Sequence, residues 1–169
     1  MTKSTNTAKV LNLKNDNEVV NAIKEIRKNG NGKDLNILID IYQNTKNDDI
    51  KKSIYSIFCD LKDQKLTKNI IEILKDTEDK TILKMLVASC WESRLDYLDY
   101  FELFINLIMQ EDFTIAFDAF TLLENFDNKI TESRRVELSK YVKDNIVNCK
   151  KDNIVLALDL PKIINNYKE

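Results

Sequence analysis

The chain has 169 residues, of which 43% are hydrophobic and 32% charged, and its net charge at pH 7 is −2. This balance describes an ordinary globular protein, and it supplies no overall basic field to attract nucleic acid. Histidine is absent, which removes the commonest general base, the Ser-His and Cys-His pairs and the commonest transition-metal ligand, so no cofactor and no metal is expected.

Glycine and proline are scarce, at 2 and 1 residues. Sheets with tight hairpins and phosphate-cradling loops lean on glycine for positive φ, so helices are the easiest elements to build from this chain. The three cysteines, Cys59, Cys90 and Cys149, are an odd number without C-x-x-C spacing. They read as buried free thiols in a reducing compartment. Met1 to Asn17 carries no apolar leader segment, and no uncharged apolar run approaches the roughly 18 residues needed to span a bilayer. A cytoplasmic protein without membrane contact is the expectation.

In chain order, residues 1–16 read as a flexible polar arm. The apolar period then predicts helices over about 18–29, 34–45, 49–62, 66–76, 79–92, 97–110, 112–125 and 131–149, with a broken segment at 153–168. Gly30 falls where a left-handed C-cap belongs. Pro161 is expected at the first turn of a last short helix, because an interior proline costs about 3 kcal/mol. Acidic pairs at Asp48–Asp49, Glu78–Asp79 and Glu111–Asp112 stand where first helices begin, so they read as caps that also complement the helix dipole.

Two registers repeat together. In the first helix of each predicted hairpin the core positions are Val19, Ala22, Ile23 and Ile26, then Ile50, Ser53, Ile54 and Ile57. Ile82, Met85, Leu86 and Ser89 follow, then Ala116, Ala119, Phe120 and Leu123, at offsets of 31, 32 and 34 residues. The second helices carry a pentad of two apolar residues, one polar and two apolar. It runs Leu38–Tyr42, Ile70–Leu74 and Phe104–Ile108, with a fainter copy at Leu138–Val142, at offsets of 32, 34 and 34. Such a pentad covers a wider arc than one neighbouring helix can bury, so each hairpin must stack on the next.

The stretch from Asp48 to Asp79 resembles a HEAT repeat: acidic residues open its first helix, Lys51 follows the first apolar position, and Asp63 stands in the intra-hairpin turn. The resemblance covers about residues 17–145 and implies an all-α fold. The expected architecture is an α-α superhelix, a HEAT-like α-solenoid of about four antiparallel hairpins plus a C-terminal capping helix. Residues 17–169 would form a single domain, with units at about 17–47, 48–78, 79–111 and 112–149 and a cap at 150–169. It implies function only loosely, since such arrays serve as scaffolds, adaptors, nucleic-acid binders and occasionally enzymes.

The functional expectation is a non-enzymatic scaffold, a monomer binding a protein or peptide on its concave face. The polar centres of the pentads, Asp40, Glu72 and Asn106, with Lys140 in the weaker copy, are the candidate partner-binding ridge, and the competing reading makes them solvated positions of amphipathic helices. Trp91, Tyr97 and Tyr100 are a candidate aromatic anchor, or simply the packing of a helix corner. Two other classes are weighed. A nucleic-acid-binding or alkylpurine-glycosylase-like module would use tryptophans and an Asp beside a basic concave surface. This chain departs from that pattern, with one tryptophan, four arginines and a negative net charge. Its basic pairs, Arg134–Arg135 and Lys150–Lys151, read as a solvated face rather than a phosphate site. An enzyme or lyase with a pocket between repeats would need a deep polar cavity and carboxylates of shifted pKa.

Overall fold

The computed structural model describes residues 16–29, 31–127 and 129–168. Among them every regular element is helical: α1 (Asp16–Asn29), α2 (Gly32–Asn44), α3 (Asp48–Cys59), α4 (Thr67–Asp76), α5 (Lys80–Ser93), α6 (Phe101–Gln110), α7 (Phe113–Glu124), α8 (Glu132–Asn145) and α9 (Ile154–Asn165). Short 3-10 turns cover Gln64–Leu66, Leu98–Tyr100, Ile146–Asn148 and Lys151–Asn153. The expected arm at 1–16 lies outside the described residues except for Asp16, which opens α1, and the Gly30 cap lies outside them too. The chain divides into two compact units, one ending at Ser93 and one beginning at Arg94.

In the first unit, α1, α3 and α5 pack side by side as one layer, and α2 packs with α4 as the other. The predicted core positions explain this. Ile50, Ile54 and Ile57 of α3 are buried, as are Ile82, Met85, Leu86 and Ser89 of α5. In the second layer Leu38, Ile39 and Ile41 and then Ile70, Ile71, Ile73 and Leu74 are buried. Each such side chain contributes about 1.5–3 kcal/mol relative to exposure. The buried hydroxyls of Ser89 and Ser93 donate to the carbonyls of Leu86 and Cys90 at 2.7 and 3.0 Å, so they sit in α5 without an unmet donor.

Capping differs in detail from the acidic-pair expectation. Asp79 Oδ1 accepts from the backbone N–H groups of Thr81 and Ile82 at 2.8 and 3.3 Å and does cap α5. For α3 the cap is instead Asn47, whose side chain accepts from Asp49 N and Ile50 N. Asp112 occupies the N-cap position of α7 without a side-chain cap bond, its carboxylate receiving Lys150 Nζ at 3.2 Å. Asn31 and Asp34 form a reciprocal capping box on α2. At the end of α5, Arg94 takes a left-handed φ of 57° in the position where glycine is usual.

In the second unit α6 packs on α7 and on α8, and α9 packs on α7, α8 and α6. Alternate helices again share a layer. Its core holds an aromatic cluster: Phe101 meets Phe126 edge-on at 4.8 Å, Phe126 meets Tyr167 at 5.6 Å, and Tyr97 meets Phe104 at 5.6 Å. The Tyr167 hydroxyl donates to Leu123 O at 2.6 Å, and burial pushes its phenol up. The end of α6 is sealed from a distance, since Lys150 N donates to Met109 O and Asn153 Nδ2 to Glu111 O, both at 2.8 Å. Asn153 is fully buried for this purpose.

Pro161 corrects the expectation that it opens a helix: it lies inside α9, which runs unbroken from Ile154 to Asn165. The helix continues through it because Ala157, Leu160 and Ile164 bury one face around the proline, and their burial outweighs a lost backbone bond. The Arg134–Arg135 pair is likewise neither a phosphate site nor a simple solvated face. Arg134 forms a two-bond fork with Glu102 at 2.7 and 2.8 Å, tying α8 to α6, while Arg135 donates to the carbonyls of Asn165, the last residue of α9, and of Tyr167 just past it. Burial pushes the Glu102 carboxyl up, but the Arg134 hydrogen bonds outweigh it and hold the group below its ordinary value.

Two outcomes follow. Pro161→Ala restores a helix N–H and is expected to raise unfolding free energy by about 1–3 kcal/mol in urea titration. A depressed folded-state pKa contributes stability above the unfolded value and loses it as pH falls. Glu102→Gln should therefore destabilise most at neutrality, with the gap to wild type closing below about pH 4. A gap that stays constant with pH would remove charge pairing as its cause.

Candidate functional site

The polar cleft nearest the expected ridge lies in the first unit, between α2 and α4. Asn36 and Ile39 line it from α2, and Asn69, Glu72, Ile73 and Asp76 from α4, around a volume of about 290 Å³. The local sequence explains the arrangement. On α4 the pentad buries Ile70, Ile71 and Leu74, so Asn69, Glu72 and Asp76, at i−3, i and i+4, share the opposite edge. Ile39 and Ile73 sit beneath at 8% and 9% exposure and supply an apolar floor. Glu72 and Asp76 are exposed and Asn69 half-buried. The lining therefore combines two carboxylates, which only accept hydrogen bonds, with two carboxamides, which both donate and accept.

Gly32 shapes one wall. A Cβ at this position would stand 2.5 Å from Asn69 Oδ1 and 2.8 Å from its Cγ. The absence of a side chain in the first turn of α2 lets the Asn69 carboxamide lie against that helix.

Of the expected ridge, Glu72 lines the cleft. Asp40 is half-buried on α2, one turn from Asn36, and its backbone carbonyl accepts from Asn44 Nδ2 at 2.8 Å. Asn106 and Lys140 belong to the second unit. There the Asn106 carboxamide is paired with the Tyr141 hydroxyl at 2.8 and 3.1 Å, which joins α6 to α8, and Lys140 is exposed. Tyr97 does not serve as a surface anchor: it is 1% exposed and packed edge-on against Phe104, because an aromatic ring next to α6 contributes most as core area. Trp91, in the first unit, and Tyr100, in the second, are half-exposed. Sequence reading missed Asn36, Asn69 and Asp76. The spacing signal was present, since residues three and four positions from a pentad's polar centre share its edge.

The second unit carries its own cleft of about 340 Å³ between α7 and α9, with Phe120, Glu124, Asp127, Asp159, Lys162 and Asn166 in its lining. Lys168 pairs with Asp127 at 2.6 Å and holds that exposed carboxyl below its ordinary value. Among the described residues no group of three potential metal ligands converges, and no helix is long and apolar enough to cross a membrane. The three cysteines form no disulfide; Cys90 is buried as expected, whereas Cys59 and Cys149 are only half-buried, and that partial burial pushes their thiols up.

Comparison of the chain with protein-family models, with characterised proteins and with solved structures finds no match. The class of protein defined here is therefore an all-helical one with two-layered helix packing in each unit, carrying a polar cleft between second-layer helices. Gly32→Ala tests the geometry of that cleft. The substitution suits a helix and is expected to leave stability unchanged or raise it by up to about 1 kcal/mol. It should also displace the flexible end of Asn69, visible as a shift of its side-chain amide resonances in NMR.

Proposed function

We propose that this protein is a HEAT-like α-solenoid scaffold whose α2–α4 cleft binds an extended segment of another protein bearing lysine or arginine. The observation that carries this reading is the convergence of Glu72 and Asp76 with the carboxamides of Asn36 and Asn69 on one cleft of the second-layer face. Carboxylates on a solvated rim attract a cationic side chain, carboxamides pair with the backbone of an extended strand, and the floor of Ile39 and Ile73 takes an aliphatic stem. The half-buried Asp40 extends the negative edge along α2. The repeat registers support the solenoid part of the reading, because they place the pentad centres at equivalent positions of successive hairpins.

Phosphate recognition fits these groups poorly, as the cleft carboxylates repel it and Arg134 and Arg135 are engaged within the second unit. The reading is tested with an array of peptides varying lysine, arginine and asparagine content, probed at low salt. Peptides carrying a cation beside aliphatic residues should bind. The double reversal Asp40→Lys/Glu72→Lys should weaken them about tenfold or more, with an unchanged thermal melt. Equal binding by the reversal variant would remove this face from consideration, and preference for nucleic acid over every peptide would replace the reading.

A further inference from the structure

Residues 1–15, which precede α1, contain three lysines, Lys3, Lys9 and Lys14, and no acidic residue. The net charge of −2 therefore divides into +3 over this segment and −5 over the remaining residues. Val10, Leu11 and Leu13 stand between Lys9 and Lys14, with Asn12 among them. Cation, aliphatic group and carboxamide are the chemistry that the α2–α4 cleft is suited to hold.

Asp16 fixes where this segment joins the fold. Asn47 Nδ2, at the N-cap of α3, donates to Asp16 Oδ2 at 2.7 Å, so α1 begins beside the start of α3. Burial first, and then the charges of Asp79 and Asp48, push the Tyr42 phenol above its ordinary value. The last turn of α2 thus lies beside the starts of α3 and α5. Asp76 and Thr77, which precede Asp79 by two or three residues, line the cleft at this same end. Gly32 lies against Asn69 near the opposite end. Glu72 and Asp76 are exposed and belong to none of the ion pairs found among the described residues. None of the residues lining the cleft is basic: Lys68 and Lys75, at i−4 and i+3, fall on the other side of Glu72 from Asn69 and Asp76, at i−3 and i+4. Lys9 stands seven residues before Asp16, about 23 Å of extended chain, or roughly two helix diameters. That length passes from one helix layer to the next.

We propose that residues 3–14 of this chain occupy the α2–α4 cleft in cis, so that a partner segment must displace them. The inference rests on the cleft reading above and names the occupant that a partner meets there. In an extended segment Lys9, Leu11 and Leu13 alternate onto one side. Lys9 meets Glu72 and Asp76, Leu11 lies on the floor of Ile39 and Ile73, and the carboxamides of Asn36 and Asn69 pair with the backbone between them. A tethered segment acts at an effective concentration in the millimolar range, so a weak intrinsic affinity suffices to close the cleft. The apparent affinity of a competing partner then falls by the fraction of molecules left open.

The test uses the full chain and a fluorescent synthetic peptide copying residues 3–14. Two variants disarm the segment, Lys9→Glu/Leu11→Ser and the charge-neutral Leu11→Ser/Leu13→Ser. Each is expected to bind the added peptide at least about tenfold more tightly than wild type does. Adding Glu72→Lys/Asp76→Lys to either should then weaken binding about tenfold or more, with an unchanged thermal melt. The side-chain amide resonances of Asn36 and Asn69 should differ between wild type and the disarmed variants, and the added peptide should return them toward the wild-type positions. Equal peptide affinity for wild type and both disarmed variants, lost on Glu72→Lys/Asp76→Lys, overturns occupancy in cis and leaves the cleft reading standing. Binding by none of them overturns both. A lower melt in the disarmed variants with unmoved Asn36 and Asn69 resonances overturns the proposal in favour of packing elsewhere on the fold. Dimers of wild type that the disarmed variants abolish overturn it in favour of exchange between two copies.

Discussion

The structure depends on one packing constraint, the width of the apolar arc on the second-layer helices. Ile70, Ile71, Ile73 and Leu74 occupy four of five consecutive positions of α4, and all four are buried. At 100° per residue no single neighbouring helix covers that arc. α4 is covered from two directions, by α2 within its own layer and by α5 of the other. The same demand recurs on α6, where Phe104, Ile105, Leu107 and Ile108 are buried between α7 and α8. The residue interrupting each pentad must then face outward, which brings Glu72 to a cleft and Asn106 to the Tyr141 hydroxyl.

Where the arc weakens, polar bonds replace it. On α8 only Leu138 and Val142 are buried, and the helix is held by the fork between Arg134 and Glu102, by Arg135 on the carbonyls of Asn165 and Tyr167, and by Tyr141 on Asn106. These are bonds between side chains or carbonyls about thirty residues apart, each contributing on the order of 1 kcal/mol, more where both partners are charged and partly desolvated. The outer face of α8, relieved of packing, carries Val136 among lysines and carboxylates.

The two clefts differ in their lining within a chain whose net charge is only −2. The cleft of the first unit gathers carboxylates and carboxamides around a narrow apolar floor. The cleft between α7 and α9 mixes Glu124, Asp127 and Asp159 with Lys162 and Lys168. Near-neutrality of the whole thus conceals local fields that act at the range of a contact, within the screening length of about 8 Å at physiological salt.

The amino-acid sequence alone determined that the chain is helical, where the helices among the described residues lie to within a few residues, and which side of α2 to α7 turns inward. Periodicity and scarce glycine are local properties, legible without coordinates. The polar pentad centres were legible for the same reason, as were Asp79 as a cap and the reading of the cysteines as free thiols. Only the tertiary structure decided the rest. It drew Asn36, Asn69 and Asp76 around Glu72, because a cleft needs a second helix at a set distance. It spent Arg134, Arg135 and Asn106 on distant partners, buried Tyr97 against Phe104, and carried α9 through Pro161 because the gain from burying its neighbours exceeds the cost of one missing hydrogen bond. Each of these turns on a contact between residues far apart in the chain, a quantity that no local pattern records.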